Sequence, residues 1–376
     1  MEATAKAGRC ASRMRPSRET CLHRESIIPL GVGYAIWPTA MPRVCLVFLR
    51  EERFFCALPL IHLILRYQEE TKMLRKSISL VLVLLLALGA SLAVAEDTCV
   101  TDMYGREITL DGPATRVVAL TAADCEILCA LGCADALVGR GEYCDYPEEV
   151  LSVPVVQSGA ETNVEEILAL APQVVFMSDM AQSKEQVEQL EENGVQVVIS
   201  CAQDIAGVYT AIRMIGAVMG RDVEAEAMVA DMQSAFDDIA AACGESGKTV
   251  YFEVSPLQWG LWTAGHGTFM DELAAMCGLE NAFADVEGWA AISEEQVLAR
   301  DPDYIVTISM YYGEGPTPVE EIMSRAGWAE LKAVAQGHVF NADSNAISRP
   351  GPRLKDAALE LYQFISGTEA DEVPAA

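Results

Sequence analysis

From Glu96 onward, apolar and polar positions follow two alternating periods. The runs "RVVAL" (116–120), "ALVGRG" (136–141), "VPVVQ" (153–157), "QVVFMS" (173–178) and "VQVVIS" (195–200) are short and β-branched, and read as strands. Between them, "ADCEILCALGC" (123–133), ended by Gly132, and "SKEQVEQLEENG" (183–194), closed by Gly194, predict helices. Such a strand–helix–strand rhythm predicts a largely parallel sheet with helices on both faces. The rhythm stops between Ile205 and Cys243, where the pattern is helical and interrupted at Gly220. There Ala225, Met228, Met232, Ala235, Phe236 and Ile239 recur at three- and four-residue intervals, which predicts one buried stripe. Alternation resumes at "KTVYFEV" (248–254). It continues through "TFMDELAAMCG" (268–278), "SEEQVLARD" (293–301), "DYIVTIS" (303–309) and "HVFNAD" (338–343), and a last helix covers "RLKDAALELYQFI" (353–365). The expected class is α/β, laid out as lobe, long helix, lobe. The boundaries are 96–220 for the first lobe, 221–243 for the connecting helix and 244–367 for the second lobe, with a tail at 368–376.

One stretch occurs twice. "NVEEILALAPQVVF" (163–176) and "SEEQVLARDPDYIV" (293–306) align without a gap, matching Glu165 with Glu295, Leu168 with Leu298, Ala169 with Ala299 and Pro172 with Pro302. Asn163 with Glu166, and Ser293 with Gln296, have capping-box spacing, so both acids fall in a first helical turn. There each complements the helix dipole by about 0.3–1 kcal/mol. Stabilisation alone explains an acid in each first turn. It does not explain matched positions in two diverged halves, and a rigid helix start can also present its acid to a partner.

Composition narrows the picture. The 376 residues are 51% apolar, enough to fill cores in one large or two medium domains. From Glu96 the chain carries 13 Lys and Arg against 48 Asp and Glu. This surface repels phosphate backbones and disfavours nucleic acid as a partner. Met73-Leu74-Arg75-Lys76, the apolar run Ile78–Leu88 and the A-x-A sequence Ala93-Val94-Ala95 have the form of a secretory signal peptide (73–95) cleaved between Ala95 and Glu96. The apolar run is short for a spanning helix. Cys99 follows Glu-Asp-Thr, which disfavours a lipid anchor there. Residues 1–72 are Arg-rich, with apolar runs broken by Gly and Pro. Because signal peptides stand at N-termini, Met73 is the expected start and 1–72 an extension that is not translated. The expected location is periplasmic or otherwise extracytoplasmic.

Eight of the 12 cysteines follow the cleavage site, and export permits disulfides. Cys125, Cys129 and Cys133 at i, i+4 and i+8 predict one packed helix face. A thiolate metal site there lacks a C-x-x-C pair and a nearby His. After cleavage only His266 and His338 remain, so a His-rich zinc site is not expected. No catalytic constellation competes. "GVGYAI" (31–36) is too short for a dinucleotide fingerprint, "GRGEYCDYP" lacks the Lys-Ser/Thr of a phosphate loop, and no G-x-S-x-G elbow is present. A non-enzymatic protein without intrinsic cofactor is expected.

Eight segments in order carry a resemblance. They are "YGREITL" with "RVVAL", "VGRGEYCDYP", "NVEEILALAPQVVF", "WTAGHGTFMDELAAMCGLENAF", "ISEEQVLARDPDYIV", "GWAELKAVAQGHVF" and "RPGPRLKDAA". From about Thr101 to Ile365 the chain resembles the periplasmic solute-binding proteins of cobalamin and iron-siderophore ABC importers. The resemblance implies two Rossmann-like α/β lobes joined by a single long backbone helix, here about Asp222 to Cys243, with a ligand cleft between the lobes. It also implies that Glu165 and Glu295 dock on arginines of an ABC permease dimer, which works with its ATPase. The protein is expected to be monomeric when free.

In open parallel sheets, ligands bind beyond the carboxyl ends of the strands. The expected cleft walls are Glu142-Tyr143, Gly159–Thr162, Ser255–Trp262, Met310–Tyr312, Trp289 and 344–350. Tyr143, Trp259, Trp262, Trp289, Tyr311 and Arg349 are the candidate ligand residues, an inventory suited to a bulky, flat, partly apolar ligand. Core or rim packing is the competing role for each aromatic. Tyr143 lies in a motif similar to that of cobalamin binders, and Arg349 falls where siderophore binders supply a cation. A tyrosine oxygen can also ligate haem iron. The expected cargo is a corrinoid or ferric siderophore, with haem third. The alternative from another class is a ligand sensor or adhesion module on the same fold.

Overall fold

The computed structural model describes residues 97–178 and 183–367, the side chain of Ala160 excepted. The expected signal peptide, residues 1–72 and the tail at 368–376 lie outside the described residues. Among those described, no helix is long and apolar enough to cross a membrane.

The described chain opens with an antiparallel hairpin, β1 (Thr98–Thr101) and β2 (Glu107–Leu110), which sequence patterning did not mark. Its turn is organised by Asp102, whose Oδ1 accepts from the backbone N–H groups of Tyr104 (3.0 Å) and Arg106 (2.9 Å). Then come β3 (Val117–Ala119), α1 (Ala122–Ala130), β4 (Leu137–Gly141), β5 (Val155–Val156), α2 (Val164–Ala169), β6 (Val174–Met177), α3 (Lys184–Glu192) and β7 (Gln196–Ile199). The five strands β3–β7 form one parallel sheet in the order β5-β4-β3-β6-β7.

Two helices follow, α4 (Ile205–Met219) and α5 (Asp222–Ala242), parted at Gly220 as expected. Gly220 is left-handed (φ 64°), a conformation glycine adopts without steric cost. At Gly216 a Cβ would stand 2.5 Å from Ala225 Cβ, so a missing side chain is what lets the two helices touch. The stripe on α5 is buried at Ala225, Val229, Met232, Phe236 and Ile239. Val229 takes the buried place expected of Met228.

The second half contains β8 (Lys248–Glu253), β9 (Trp262–Ala264), α6 (Phe269–Met276), β10 (Leu279–Asn281), β11 (Trp289–Ala291), α7 (Glu294–Arg300), β12 (Tyr304–Thr307), α8 (Pro318–Met323), α9 (Lys332–Gln336), β13 (Val339–Asn341), α10 (Ser344–Ser348) and α11 (Leu354–Ser366). Its main sheet is also parallel, in the order β10-β8-β12-β13, while β9 and β11 pair antiparallel apart from it.

Strand alternation assigns each side chain to a core. Val117, Ala119, Val174 and Phe176 face one way in the first sheet, and Val250, Phe252, Tyr304 and Val306 do so in the second. These two faces belong to one continuous cluster that also takes in α1, α4, α5, α6 and α11, so the lobes share a core. The opposite faces have their own clusters, sealed by Ile167 and Leu190 in the first lobe and by Val297, Ile322 and Trp328 in the second.

The duplicated stretch is a structural repeat. Ile167 and Val297 are both fully buried, and Ala171 (φ 47°) and Asp301 (φ 44°) are both left-handed just before their prolines. Proline disfavours a right-handed helical residue before it, and both helices leave through this conformation. The capping differs, however. Ser293 and Gln296 form the full reciprocal box, whereas Asn163 receives the Glu166 N–H at 3.2 Å but Glu166 Oε2 turns to the Gln157 N–H at 3.4 Å.

Helix α1 ends ahead of Gly132, as the sequence predicts, but the cysteine stripe does not run its expected length. Gly132 (φ 72°) turns the chain, so Cys133 is not on the helix face of Cys125 and Cys129. Cys144 lies near that face, close enough for its thiol and that of Cys129 to perturb Cys125.

Candidate functional site

In each sheet the chain runs outward on one side of its first strand and then returns to the other. The reversals fall between β3 and β6 and between β8 and β12. Flanking connections there leave in opposite directions and open a crevice at the carboxyl ends of the strands. Both crevices contain cavities. One of about 570 Å³ is lined by Val254–Pro256 and Trp259 after β8, and by Ile308–Tyr312 after β12. A second, of about 490 Å³, shares Ser309–Tyr312 and Ser344 with it and extends past β13 to Asn345 and Glu360. The third, about 160 Å³, lies at the β3/β6 reversal. Its walls include Thr121, Ser178 and Ser200–Gln203, together with Ser348–Pro350 from the second half of the chain.

The six expected ligand residues divide. Trp259 (74% exposed) and Tyr311 line the 570 Å³ cavity, beside Met310 and the still more exposed Tyr312. Arg349 lines the small cavity. Tyr143 projects from its loop, 75% exposed, and lines none of the three. Trp262 and Trp289 lie on β9 and β11, outside these cavities. Trp289 packs against Phe269 (ring centroids 5.2 Å apart), and its Nε1–H donates to Gln203 Oε1 at 3.0 Å. It thus bridges the halves from the second lobe to the loop after β7.

Arg349 is heavily engaged. Its Nη1 donates to Glu126 Oε1 at 2.8 Å and to Asp145 Oδ1 at 2.6 Å. Its Nη2 donates to Asn345 Oδ1 at 2.8 Å and to the Tyr143 carbonyl at 3.2 Å. Arg353 grips both oxygens of the same Glu126, at 2.8 and 2.7 Å, while its guanidinium stacks 4.1 Å over Tyr146. The cation expected to await an anionic chelate therefore already balances two carboxylates, and ties the Tyr143 loop and α1 to α10 and α11. Burial pushes the Asp145 carboxyl up, but the Arg349 guanidinium outweighs it and holds the group below its ordinary value.

Besides Asp102 and Glu126, two more buried acids were missed. Glu253, at the end of β8, pairs with Arg325 Nη1 at 2.6 Å and Nη2 at 2.8 Å, and Arg325 also binds Glu321, which reaches the 570 Å³ cavity. Asp124 stands in the first turn of α1, where its Oδ2 accepts from Thr121 Oγ1 at 2.5 Å. Burial pushes this carboxyl up to about 7 despite hydrogen bonds from Thr121 and Ser200. Asp124 and Glu126 inside the apolar run "ADCEILCA" were the available signal, because unpaired acids are hardly ever fully buried.

Glu165 and Glu295 are both exposed in first turns, and among the described residues neither joins an ion pair. Ser293 hydrogen-bonds the Glu295 carboxylate and lowers its pKa. The helices beneath them are firmly seated. Trp328 Nε1–H donates to Glu294 Oε2 at 3.0 Å, and Arg116 caps the end of α2 through the Leu170 and Ala171 carbonyls at 2.5 and 3.0 Å. Each helix leads back to the amino end of the strand after it, so its first turn lies toward the carboxyl-end pole, the side of the cavities.

Residues 117–346 match the family described as periplasmic binding protein. The chain belongs to that family. Among curated relatives, an uncharacterized ABC transporter substrate-binding lipoprotein of Bacillus subtilis (strain 168) is 33% identical over 273 residues, covering 71% of this chain and 84% of the relative. A vitamin B12-binding protein of Vibrio cholerae is 26% identical over 255 residues, covering 67% and 90%. The solved periplasmic haem-binding protein of Vibrio cholerae superposes with a TM-score of 0.62 at 20% identity, over 67% of this chain and 98% of that one, a likeness of fold. As a periplasmic binding protein the chain has the two-lobed α/β architecture expected of it, with cavities at the sheet reversals of both lobes.

Proposed function

We propose that the protein captures a metal chelate outside the cytoplasm and delivers it to an ABC permease. A corrinoid or ferric siderophore is the favoured cargo and haem the third. The observation that carries this reading is the cavity at the β8/β12 reversal, where Trp259, Tyr311 and Tyr312 stand exposed. Solvent-facing aromatics in a crevice offer flat apolar contact to a macrocycle or aromatic chelate. Tyr143, exposed outside these cavities, is assigned to the ligand from the other lobe, on a loop that Arg349 holds in place. The relatives named as substrate-binding and vitamin B12-binding support the transport role and the extracytoplasmic location.

Delivery is assigned to Glu165 and Glu295, exposed carboxylates on matched helix starts that would meet permease arginines as two feet. The test is an absorption spectrum of natively purified protein, followed by titration with cyanocobalamin, a ferric siderophore and haemin. One of the three is expected to bind and perturb the spectrum, with Trp259→Ala weakening it by about tenfold. Failure of all three removes the chelate reading. For delivery, Glu165→Arg with Glu295→Arg is expected to abolish uptake while leaving affinity unchanged; intact uptake refutes the docking role.

A further inference from the structure

Cys243 and Cys277 each stand at the C-cap of a helix, α5 and α6. The two helices feed neighbouring parallel strands, β8 and β10, whose register sets Lys248 beside Leu279. Their carboxyl-terminal ends therefore converge at the amino-end pole of the second sheet, away from the cavities. Between the helix ends and the strands the chains are in direct contact. Ser246 donates to the Gly278 carbonyl through its N–H (3.0 Å) and through Oγ (2.6 Å). Cys243 Cβ stands 3.6 Å from where a Cβ on Gly278, the residue after Cys277, would be. The two thiols lie near enough to perturb one another, and both are free in this structure. A disulfide needs Cβ atoms about 3.5–4.5 Å apart, which neighbouring C-caps of this kind can meet with little backbone movement.

We propose that Cys243 and Cys277 are a disulfide-forming pair, an oxidative modification site that staples the end of the connecting helix to the second lobe. That oxidation occurs in the cell rests on the extracytoplasmic reading above. The oxidant is an oxidised dithiol protein or, in vitro, glutathione disulfide. The Cys243 thiolate, the less buried of the two, attacks the oxidant's disulfide and expels one of its sulfurs as a thiolate. The Cys277 thiolate then attacks Cys243 Sγ in the mixed disulfide and expels the second. The pair loses two electrons and two protons, and the oxidant's disulfide becomes two thiols. Burial raises both thiols in the folded protein, so exchange proceeds fastest before the helix ends close over Cys277. The bond joins positions 34 apart and restricts the unfolded chain accordingly.

Trypsin separates the two cysteines cleanly. Residues 222–248 contain only Cys243, and residues 249–300 contain only Cys277. Protein refolded in a glutathione redox buffer is expected to yield these peptides joined, by non-reducing mass spectrometry, with the join lost after dithiothreitol. The oxidised protein should melt about 6 °C above the reduced one, and Cys243→Ala should lose that increment. Free Cys243 and Cys277 after refolding, or crosslinks to Cys125, Cys129 or Cys144 in its place, overturn the pairing. The same peptides from natively expressed protein, fractionated into envelope and cytosol, test the location separately. A cytosolic, reduced protein that still forms the bond in vitro leaves the pairing standing and removes the extracytoplasmic reading.

Discussion

At Asp124 the fold keeps a fully buried carboxyl group with one oxygen, Oδ1, without a partner among the described residues. Burial favours the neutral acid and lifts the pKa from 3.8 to about 7. Between those values the folded protein holds a proton that the unfolded chain has released, so stability falls as pH rises from about 4 to about 7, then levels off. The total is at most about 4 kcal/mol. Asp124→Asn removes this slope and is expected to gain stability over the wild type at pH 8 compared with pH 5, in urea melts at both values. A second residue-scale cost lies at Ala171, whose left-handed backbone burdens any side chain with about 1–2 kcal/mol. Ala171→Gly is expected to raise stability by about 0.5 kcal/mol after the glycine's extra unfolded-state entropy is counted. At Asp301 the same change should gain nothing, because Oδ1 there accepts the Lys332 N–H at 2.8 Å.

At the scale of elements, the protein depends on two helices meeting without a side chain between them. Gly216 on α4 lies against Ala225 on α5, in the pair of helices that leads from one sheet to the other. Gly216→Val forces them apart and should destabilise by about 1–3 kcal/mol, measured by denaturation, with far-ultraviolet dichroism unchanged. Strand and helix identities were legible here because short continuous apolar runs and three-to-four spacing report burial directly, as at Val174–Met177 and along α5. The hairpin β1–β2 and the pair β9–β11 were not. Those strands are only three or four residues long, too short for a period to show, and β9 and β11 also lie about 25 positions apart. The end of α1 was marked by Gly132, but the four-residue spacing of the cysteines ran past that stop and placed Cys133 on a face it does not share.

For the whole molecule, one hydrophobic cluster runs through both lobes, and Glu126 adds a charged pin between them, with a side chain only 2% exposed. Glu126→Gln leaves Arg349 and Arg353 without their shared carboxylate and should cost about 3–5 kcal/mol. Ligand should change the wild-type radius of gyration by less than about 1 Å in solution scattering, because a shared core and this pin resist large closure. The amino-acid order alone determined the α/β class, the long helices, the repeated helix start with its paired acids, and the family, since each is written in local periodicity or in short ordered motifs. Which aromatics face a cavity was decided only in three dimensions. Trp259 and Trp289 look alike in a sequence, but one follows a strand that opens on the β8/β12 crevice and the other packs on Phe269. Arg349 likewise reads as a free cation until Glu126, more than two hundred positions away, is brought against it. Charge pairing and burial depend on what the fold sets nearby, and no local pattern encodes that.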